Sequence, residues 1–388
     1  MPPIDPQRIL VRGVNWLGDA VMTTPALLRL REHYPNSHIT LLTLGKLKDL
    51  WQHHPAIDAV ETFDEGESPR RTAKRLRPMG FDLALILPNS IRSAWQPWLA
   101  GIPRRVGYAQ PWRSLLLTQA IPPRPGAVAM HKRSEAEINQ LIERGSPDAP
   151  PPASAHHIHQ YLHLTAALGA NPEPLPPRLV VPETAVSEFL NKFKLDAGSL
   201  WMGLNAGAEY GPAKRWPMDR FTEAAIQIQR RTNCRWLIFG AKAETETAAR
   251  MTAHITRAAE EHAGRAAADA KPPVVNLAGA TTLGELCAAL KLCRVLLTND
   301  SGPMHVAAAL GTPVVVPFGS TSPELTGPGL PGDVRHRLLR AKVPCSPCFL
   351  RECPIDFRCM TGIAVERVVQ AVLESGSQDE LANKPRNQ

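Results

Sequence analysis

The sequence predicts an α/β protein built from two similar halves, each with a mostly parallel β-sheet covered by helices. Short apolar runs alternate with helix-forming segments along most of the chain. A glycine-bearing loop follows the first apolar run of each half, at residues 13–18 and 206–211. A proline-rich stretch at 171–182 separates the halves, and 388 residues suffice for two domains. The predicted domains are residues 1–182 and 183–375, followed by a disordered tail at 376–388.

The first half contains four apolar runs of the kind that form buried parallel strands. These predicted strands are residues 8–12, 39–43, 59–63 and 83–87. Helical spacing and capping residues predict the helices at about 18–30, 45–52, 69–77, 90–99 and 156–168. Residues 101–135 are basic and irregular, and the proline-rich stretch 145–155 is typical of a flexible insertion.

The second half repeats this alternation. Its predicted strands are residues 201–205, 235–239, 274–277, 294–298 and 314–318. Its predicted helices lie near 218–231, 244–262 and 282–291. Ligands of such sheets bind outside the carboxyl ends of the strands, so we expect the glycine loops of both halves to lie beside a ligand.

Residues 298–313 read as the end of a buried strand, a tight turn, a short helix and a helix stop. Asp300 or Ser301 is a suitable N-cap, and Pro303 fits the first helical turn. The backbone N–H groups of Ser301, Gly302 and Met304 would then face outward at the positive end of the helix dipole. This arrangement predicts an anion site that suits phosphate. The alternative is a plain strand, turn and helix with a capping aspartate.

Two side chains add to this predicted anion site. Lys214 lies in the second glycine loop, where an ammonium beside a helix N-terminus could neutralise a diphosphate. The chain contains no Asp-x-Asp motif, so the carboxylate pair that often holds a metal on a sugar nucleotide is missing. His305, one turn into its helix, could reach an anion or a sugar hydroxyl. The alternatives are an exposed loop lysine and a core histidine bonded to backbone.

Asp19 opens the first helix of the other half, next to Gly18. A carboxylate there could take a proton from the hydroxyl group of an acceptor. The helix dipole favours its ionised form and therefore weakens it as a base. Its other interpretation is a simple helix cap.

The net charge of +8 suits an anionic partner, although a mildly basic surface is the simpler interpretation. The basic stretch 101–135 could grip an anionic acceptor by charge-assisted hydrogen bonds. No recognised nucleic-acid motif is present, so a nucleic-acid-binding protein is a remote alternative. The N-terminal residues do not resemble a signal peptide, and the apolar runs are too short to span a bilayer.

Four of the seven cysteines lie close together, at 345, 348, 353 and 359. Four thiols at this spacing could hold a tetrahedral Zn²⁺, but the spacing differs from the common paired arrangement. Thiols sensitive to oxidation and disulfides are the alternatives. Cysteines 234, 287 and 293 have the sequence context of core residues.

Four segments together resemble the bacterial lipopolysaccharide heptosyltransferases of glycosyltransferase family 9. These segments are residues 12–25, 207–217, 299–307 and 345–360, and the match spans about residues 8–375. The resemblance implies a GT-B fold, with two Rossmann-like domains whose parallel sheets face a central cleft. Segment 124–155 is longer and richer in proline than the family pattern. Phe239–Lys242 also lacks the acid that can hold an adenosine ribose, and Glu244 and Glu246 are the candidates to replace it.

The resemblance also implies an activity. An inverting enzyme would move L-glycero-D-manno-heptose from ADP-heptose to the first heptose of the inner core on Kdo2-lipid A, without a metal or other cofactor. Asp19 would be the general base and Lys214 would stabilise the diphosphate. Gly18, Asp300, Ser301, Gly302 and His305 would contact the donor, and charge and position suggest Arg92, Arg104 and Arg105 for the acceptor.

The partners would be ADP-heptose, the lipid-linked acceptor and the anionic cytoplasmic face of the inner membrane, with no nucleic acid. The protein would be cytoplasmic and peripheral to that membrane. A GT-B transferase with a different sugar-nucleotide donor is the alternative within the enzymes.

Overall fold

The computed structural model describes residues 5–145, 149–263 and 272–382. The chain divides into two compact units, which are residues 1–128 with 152–180 and residues 129–151 with 181–388. The main division therefore falls between Val180 and Val181, beside the proline-rich stretch, and a segment of the first half belongs to the second unit. The insertion predicted at 145–155 falls partly on residues 146–148, which lie outside the described residues.

The first unit contains a six-stranded parallel sheet in the order β3-β2-β1-β4-β5-β6. The strands are β1 (Arg8–Arg12), β2 (His38–Leu44), β3 (Ala59–Phe63), β4 (Leu83–Ile86), β5 (Arg104–Tyr108) and β6 (Gln119–Ile121). The four predicted strands are confirmed. The prediction that residues 101–135 are irregular is wrong where they form β5 and β6. These strands have few apolar residues of their own, and pairing with the edge of β4 orders them.

The second unit contains a six-stranded parallel sheet in the order β12-β11-β10-β7-β8-β9. The strands are β7 (Trp201–Asn205), β8 (Arg235–Ile238), β9 (Val274–Asn276), β10 (Leu296–Thr298), β11 (Val314–Phe318) and β12 (Arg337–Arg340). The five predicted strands are confirmed to within two residues, and β12 is an addition. Counted from its own first strand, each sheet has the order 3-2-1-4-5-6, which is the doubly wound arrangement.

Helices cover these sheets. In chain order they are α1 (Leu17–Met22), α2 (Thr24–His33), α3 (Pro69–Leu76), α4 (Ile91–Leu99), α5 (Glu135–Arg144), α6 (Ile158–Ala166), α7 (Glu183–Lys192), α8 (Met218–Thr232), α9 (Thr245–Ala263), α10 (Leu283–Leu292), α11 (Gly302–Ala309), α12 (Pro323–Thr326), α13 (Arg358–Thr361) and α14 (Val365–Ala382). Short 3₁₀ turns lie at Gly45–Trp51, Arg77–Met79, Arg113–Leu116, Ala153–Ala155, Pro212–Lys214 and Lys242–Glu244. Across the described ranges, no helix is both long and apolar enough to cross a bilayer.

The last helix extends further than the sequence predicts. Helix α14 continues through residues 376–382, where a disordered tail was expected, and residues 383–388 lie outside the described residues. The buried side chains of Val368, Val369 and Val372 join the core of the second unit. Beyond them, the Gly376 carbonyl accepts a 2.9 Å hydrogen bond from Arg294 Nε, which ties this part of the helix to the segment that precedes β10.

Candidate functional site

Lys214 and Asp300 form a nearly buried ion pair at the carboxyl edge of the second sheet. Lys214 Nζ lies 2.7 Å from Asp300 Oδ2, and their side chains are only 14% and 5% exposed. Thr321 donates a 2.5 Å hydrogen bond from Oγ1 to the same carboxylate oxygen. The sequence predicted that the loop of Lys214 faces the segment that begins at Asp300, but not that the two side chains form an ion pair. In the structure, the charge of Lys214 is shared with an aspartate that fixes its position.

Two asparagines hold the loops that carry this pair. Asn299 accepts a 2.9 Å hydrogen bond from the Trp216 backbone N–H at Oδ1 and donates a 2.7 Å bond from Nδ2 to the Ala206 carbonyl. Asn205 Nδ2 donates to the Ser301 hydroxyl over 3.1 Å. Both asparagines are almost fully buried. They lock the loops after β7 and β10 to each other and so determine where Lys214 meets Asp300.

Helix α11 begins as predicted, with Ser301 at the N-cap, Gly302 at the first helical position and Pro303 in the first turn. The Ser301 side chain makes no capping hydrogen bond to the helix. The first N–H groups of a helix have no partners within it, and here the N-cap side chain does not cap them. This end of α11 therefore offers backbone donors and a positive dipole end next to Asp300. His305 is buried in the following turn.

The sequence analysis assigned no role to three residues of this region, which are Tyr210, Thr321 and Arg351. The ring of Tyr210 lies 4.8 Å from Lys214 Nζ and 5.3 Å from the Arg351 guanidinium carbon, so both cations contact one aromatic ring. The Tyr210 hydroxyl donates a 2.7 Å hydrogen bond to the Phe349 carbonyl. Burial raises the pKa of Tyr210. Arg351 and Thr321 come from segments with no periodic signal, so only the folded chain shows them beside Lys214.

Glu244 lies beside the glycine loop after β7. An added Cβ at Gly207 would come within 2.0 Å of Glu244 Oε1, so the Glu244 carboxylate packs directly against this glycine and would have to move for a larger residue. Glu244 Oε2 also accepts a 2.8 Å hydrogen bond from the Ala241 backbone N–H. Of the two acids that could replace the missing acid in Phe239–Lys242, Glu244 is the one that contacts the loop leading to Lys214.

Gly211 fixes the turn that presents Lys214, and its replacement gives a testable prediction. It has φ +149°, and an added Cβ would lie 2.5 Å from the Arg351 carbonyl oxygen. We expect Gly211→Ala to lower the free energy of unfolding by about 1–3 kcal/mol and to reduce turnover, because the loop must move away from Arg351. Urea unfolding and a transfer assay measure the two effects.

Gly332→Ala is the matched control, since Gly332 also has a positive φ, +87°, but no atom lies within 4 Å of an added Cβ. Equal losses of stability in the two variants would show that backbone conformation alone is responsible. The contact with Arg351 would then have no role in holding the loop.

Asp19 lies in the first turn of α1, in the first unit, and is half-buried. Asp19 interacts electrostatically with Tyr161 on α6. Burial raises the pKa of Tyr161 well above its usual value, and the negative charge of Asp19 raises it further. Tyr161 is therefore a neutral phenol close to Asp19. Sequence patterns could not indicate this proximity, because α6 is distant from Asp19 along the chain.

A buried guanidinium supports the loop that leads to Asp19. Arg12 donates a 2.8 Å hydrogen bond from Nε to Gln96 Oε1, bonds the Gly13 carbonyl and reaches Asn15 Oδ1 over 3.2 Å. Burial, and then the charge of Arg92, lower the pKa of Arg12 to about 9. The hydrogen bonds of this buried cation thus hold the loop between β1 and α1 in place.

The three arginines suggested for the acceptor occupy different places in the first unit. Arg92 lies at the start of α4, which follows the carboxyl end of β4. Arg104 and Arg105 begin β5, so they lie at the opposite edge of the sheet from the Asp19 loop. Arg105 bonds the carbonyls of Leu116 and Ile102 over 2.7 Å and 2.5 Å. Position therefore favours Arg92, because ligands bind at the carboxyl edge.

The cysteines at 345, 348, 353 and 359 line one small cavity in the second unit. No disulfide joins them, and Cys345 and Cys348 pack against Ile138 of α5. Burial, and then its three cysteine neighbours, raise the pKa of Cys359 to about 12. Within the part of the chain that the structure describes, no three His, Cys, Asp or Glu side chains are placed to hold a metal ion. Burial also raises the pKa of Cys345 and Cys348, which favours their protonated thiol forms.

Comparisons with known proteins agree on one family. The model of glycosyltransferase family 9 (heptosyltransferase) matches residues 69–136 and 146–357. Lipopolysaccharide heptosyltransferase 2 of Salmonella typhimurium strain LT2 is 30% identical over 83% of this chain and 85% of its own length. The Escherichia coli K12 protein of the same name is 29% identical over the same shares. The solved structure of E. coli ADP-heptose lps heptosyltransferase II has a TM-score of 0.73 and 27% identity, covering 96% of this chain and 99% of that one.

Proposed function

Because this chain belongs to glycosyltransferase family 9, the heptosyltransferases, we propose that it transfers L-glycero-D-manno-heptose from ADP-heptose to the first heptose of the inner core on Kdo2-lipid A. The chain has the GT-B type of α/β fold and is a glycosyltransferase of lipopolysaccharide biosynthesis. The observation that carries the proposal is the Lys214–Asp300 pair beside the uncapped start of α11. Such a site suits a nucleotide diphosphate without requiring a metal ion.

The proposed reaction is one displacement at the anomeric carbon of the heptose. Asp19 takes the proton of the acceptor hydroxyl as its oxygen attacks that carbon. The bond from the anomeric carbon to the diphosphate oxygen breaks, and configuration inverts. ADP leaves with the bonding electrons, and its charge is met by Lys214 and the first N–H groups of α11. An ammonium has three donors, so the bond to Asp300 occupies one of them.

Three supporting roles complete the proposal. Asp19 opens α1 as the base, and the donor is bound by Gly18, Asp300, Ser301, Gly302 and His305. Arg92 binds the anionic acceptor, with Arg104 and Arg105 as weaker candidates because of their position. The enzyme works in the cytoplasm at the inner membrane, where a lipid-linked acceptor is displayed, and needs no nucleic acid.

The donor assignment makes the first functional prediction. We expect ADP-heptose to be used at least about 10²-fold more efficiently than UDP- or GDP-sugars, since buried polar groups left unpaired by a wrong donor lower its affinity. Mass spectrometry of the product, with a defined inner-core acceptor, measures the transfer, and calorimetry measures donor binding. A preference for another sugar nucleotide would favour the alternative transferase, and activity lost in EDTA but restored by Mg²⁺ would contradict the metal-independent reaction.

A further inference from the structure

Helix α4 has apolar residues on its exposed face. Ile91, Trp95 and Trp98 are spaced at i, i+4 and i+7 and are 47%, 42% and 44% exposed. The buried face of the same helix includes the polar residues Ser93 and Gln96. A surface helix ordinarily has the reverse pattern, with apolar residues inward and polar residues outward. These outward-facing apolar side chains of α4 therefore contribute little to the core of the first unit.

A second apolar element borders α4. Trp112 and Leu115 are 79% and 77% exposed, and the turn Arg113–Leu116 packs against α4. Between them, Arg113 is fully buried and donates hydrogen bonds to the carbonyls of Tyr108 and Pro88. This buried anchor holds the turn in place while its two apolar side chains extend into solvent.

The backbone of Trp112 supports this interpretation. Trp112 has φ +61° and ψ −34°, a conformation that bulky residues rarely adopt. Such a conformation persists only where the surrounding structure imposes it, and it is common at functional sites. Because Trp112 buries little surface within its own unit, packing of its indole does not account for the conformation.

Basic side chains lie on the helix next to this apolar surface. Helix α3 packs along α4 and exposes Arg70, Arg71 and Lys74. The sequence from residue 83 to residue 134 contains no aspartate or glutamate, so the strands, turns and helix of this region add no negative charge. An exposed apolar patch beside basic side chains is complementary to a surface that is apolar inside and anionic outside.

We propose that this tryptophan surface, which consists of Ile91, Trp95, Trp98, Trp112 and Leu115, docks the first unit on an anionic lipid bilayer. Tryptophan prefers the boundary between lipid headgroups and acyl chains, and basic residues beside it contact anionic headgroups. The inference extends the proposed function, because a lipid-linked acceptor lies in such a bilayer. It stands on the surface alone, however, and its test needs neither donor nor acceptor.

Vesicle flotation with the full chain tests the proposal. Wild-type protein should float with phosphatidylcholine vesicles that contain about 30 mol% phosphatidylglycerol, and much less with phosphatidylcholine alone. We expect Trp95→Gln/Trp98→Gln/Leu115→Gln to weaken partitioning about tenfold or more. We expect Arg70→Gln/Arg71→Gln/Lys74→Gln to weaken it at low salt and to reduce its salt dependence.

Two matched controls lie in the second unit. Val334→Gln removes an apolar side chain that is 73% exposed, close to the 77% of Leu115. Arg230→Gln/Arg231→Gln removes exposed positive charge from α8. Neither control should change partitioning. Circular dichroism and thermal unfolding should show that the tryptophan-surface variants remain folded, since they replace exposed side chains only.

Two outcomes would overturn the proposal. Equal flotation of the wild type and the triple tryptophan-surface variant would place membrane contact elsewhere. Self-association of the wild type, lost in that variant and without vesicle binding, would make the surface an interface between two copies. Transfer to a delipidated acceptor is measured separately, so failure of that reaction would contradict the proposed function and leave vesicle binding unaffected.

Discussion

Asp19→Asn is expected to reduce turnover by about 10²-fold or more while leaving ADP binding unchanged. The substitution keeps the shape of the side chain and removes the group that would accept the proton of the acceptor hydroxyl. Donor affinity should survive, since the residues proposed to bind the diphosphate belong to the second unit. Turnover at saturating substrate and calorimetry with ADP measure the two effects.

A matched control separates base catalysis from helix electrostatics. Asp19 and Asp219 both lie in the first turn of a helix, and each is favoured there by the helix dipole. Asp219→Asn removes the same kind of stabilising charge from α8 and should change turnover little. If Asp19→Asn kept turnover within about threefold of the wild type, well short of the expected effect, another group would have to be the base.

The environment of Asp19 agrees with this role. The structure places a neutral phenol, Tyr161, near Asp19, and a hydrogen-bonded Arg12 beneath the preceding loop. The dipole of α1 tends to weaken the carboxylate as a base, but α1 contains only six residues, so its macrodipole is small. The hydrogen bonds of Arg12 hold the loop that precedes this short helix and so help to fix the position of Asp19.

The strands that could be predicted are those whose own apolar residues indicate that they are buried. Strands β7 and β11 are apolar along most of their length, and β1 has three consecutive apolar residues, as expected of parallel strands covered on both faces. Strands β5 and β12 have no more than two consecutive apolar residues and lie toward the edges of their sheets, so pairing partners order them rather than their own hydrophobicity. Periodicity contains no information about such partners.

The loops of the candidate site show the same difference between features that local residues determine and features that distant residues determine. The glycine turns and the start of α11 were predictable, because turn and cap residues act locally. The contacts of Thr321 and Arg351 were not, because these residues join the site through loops that are distant along the chain. For the same reason, sequence reasoning placed Lys214 and Asp300 near each other but did not predict that they would pair.

That ion pair makes the second large prediction. We expect Lys214→Met to reduce turnover by about 10²- to 10³-fold and to weaken ADP binding, because it removes an ammonium aimed at the departing diphosphate. It should also lower the free energy of unfolding by about 3–5 kcal/mol, since the buried Asp300 carboxylate would lose its partner. Activity and stability must therefore be measured together on each variant.

The double variant Lys214→Met/Asp300→Asn separates the two effects. With both charges removed, most of the lost stability should return, since no buried charge remains without a partner. Turnover and ADP affinity should stay low if Lys214 stabilises the leaving group. Recovery of turnover together with stability would instead make the pair a structural element. Lys192→Met is the control, because Lys192 pairs with Glu285 in an exposed setting where such pairs contribute about 1 kcal/mol or less.

Asp300→Asn alone completes this argument, because it leaves Lys214 with its full charge. ADP should bind at least as tightly as to the wild type, since the ammonium is no longer shared with a carboxylate. Turnover should nevertheless fall if Asp300 orients the ammonium or contacts the sugar of the donor. An ion pair that weakens nucleotide binding but raises turnover would act on the transition state, where the charge of the leaving diphosphate is greatest.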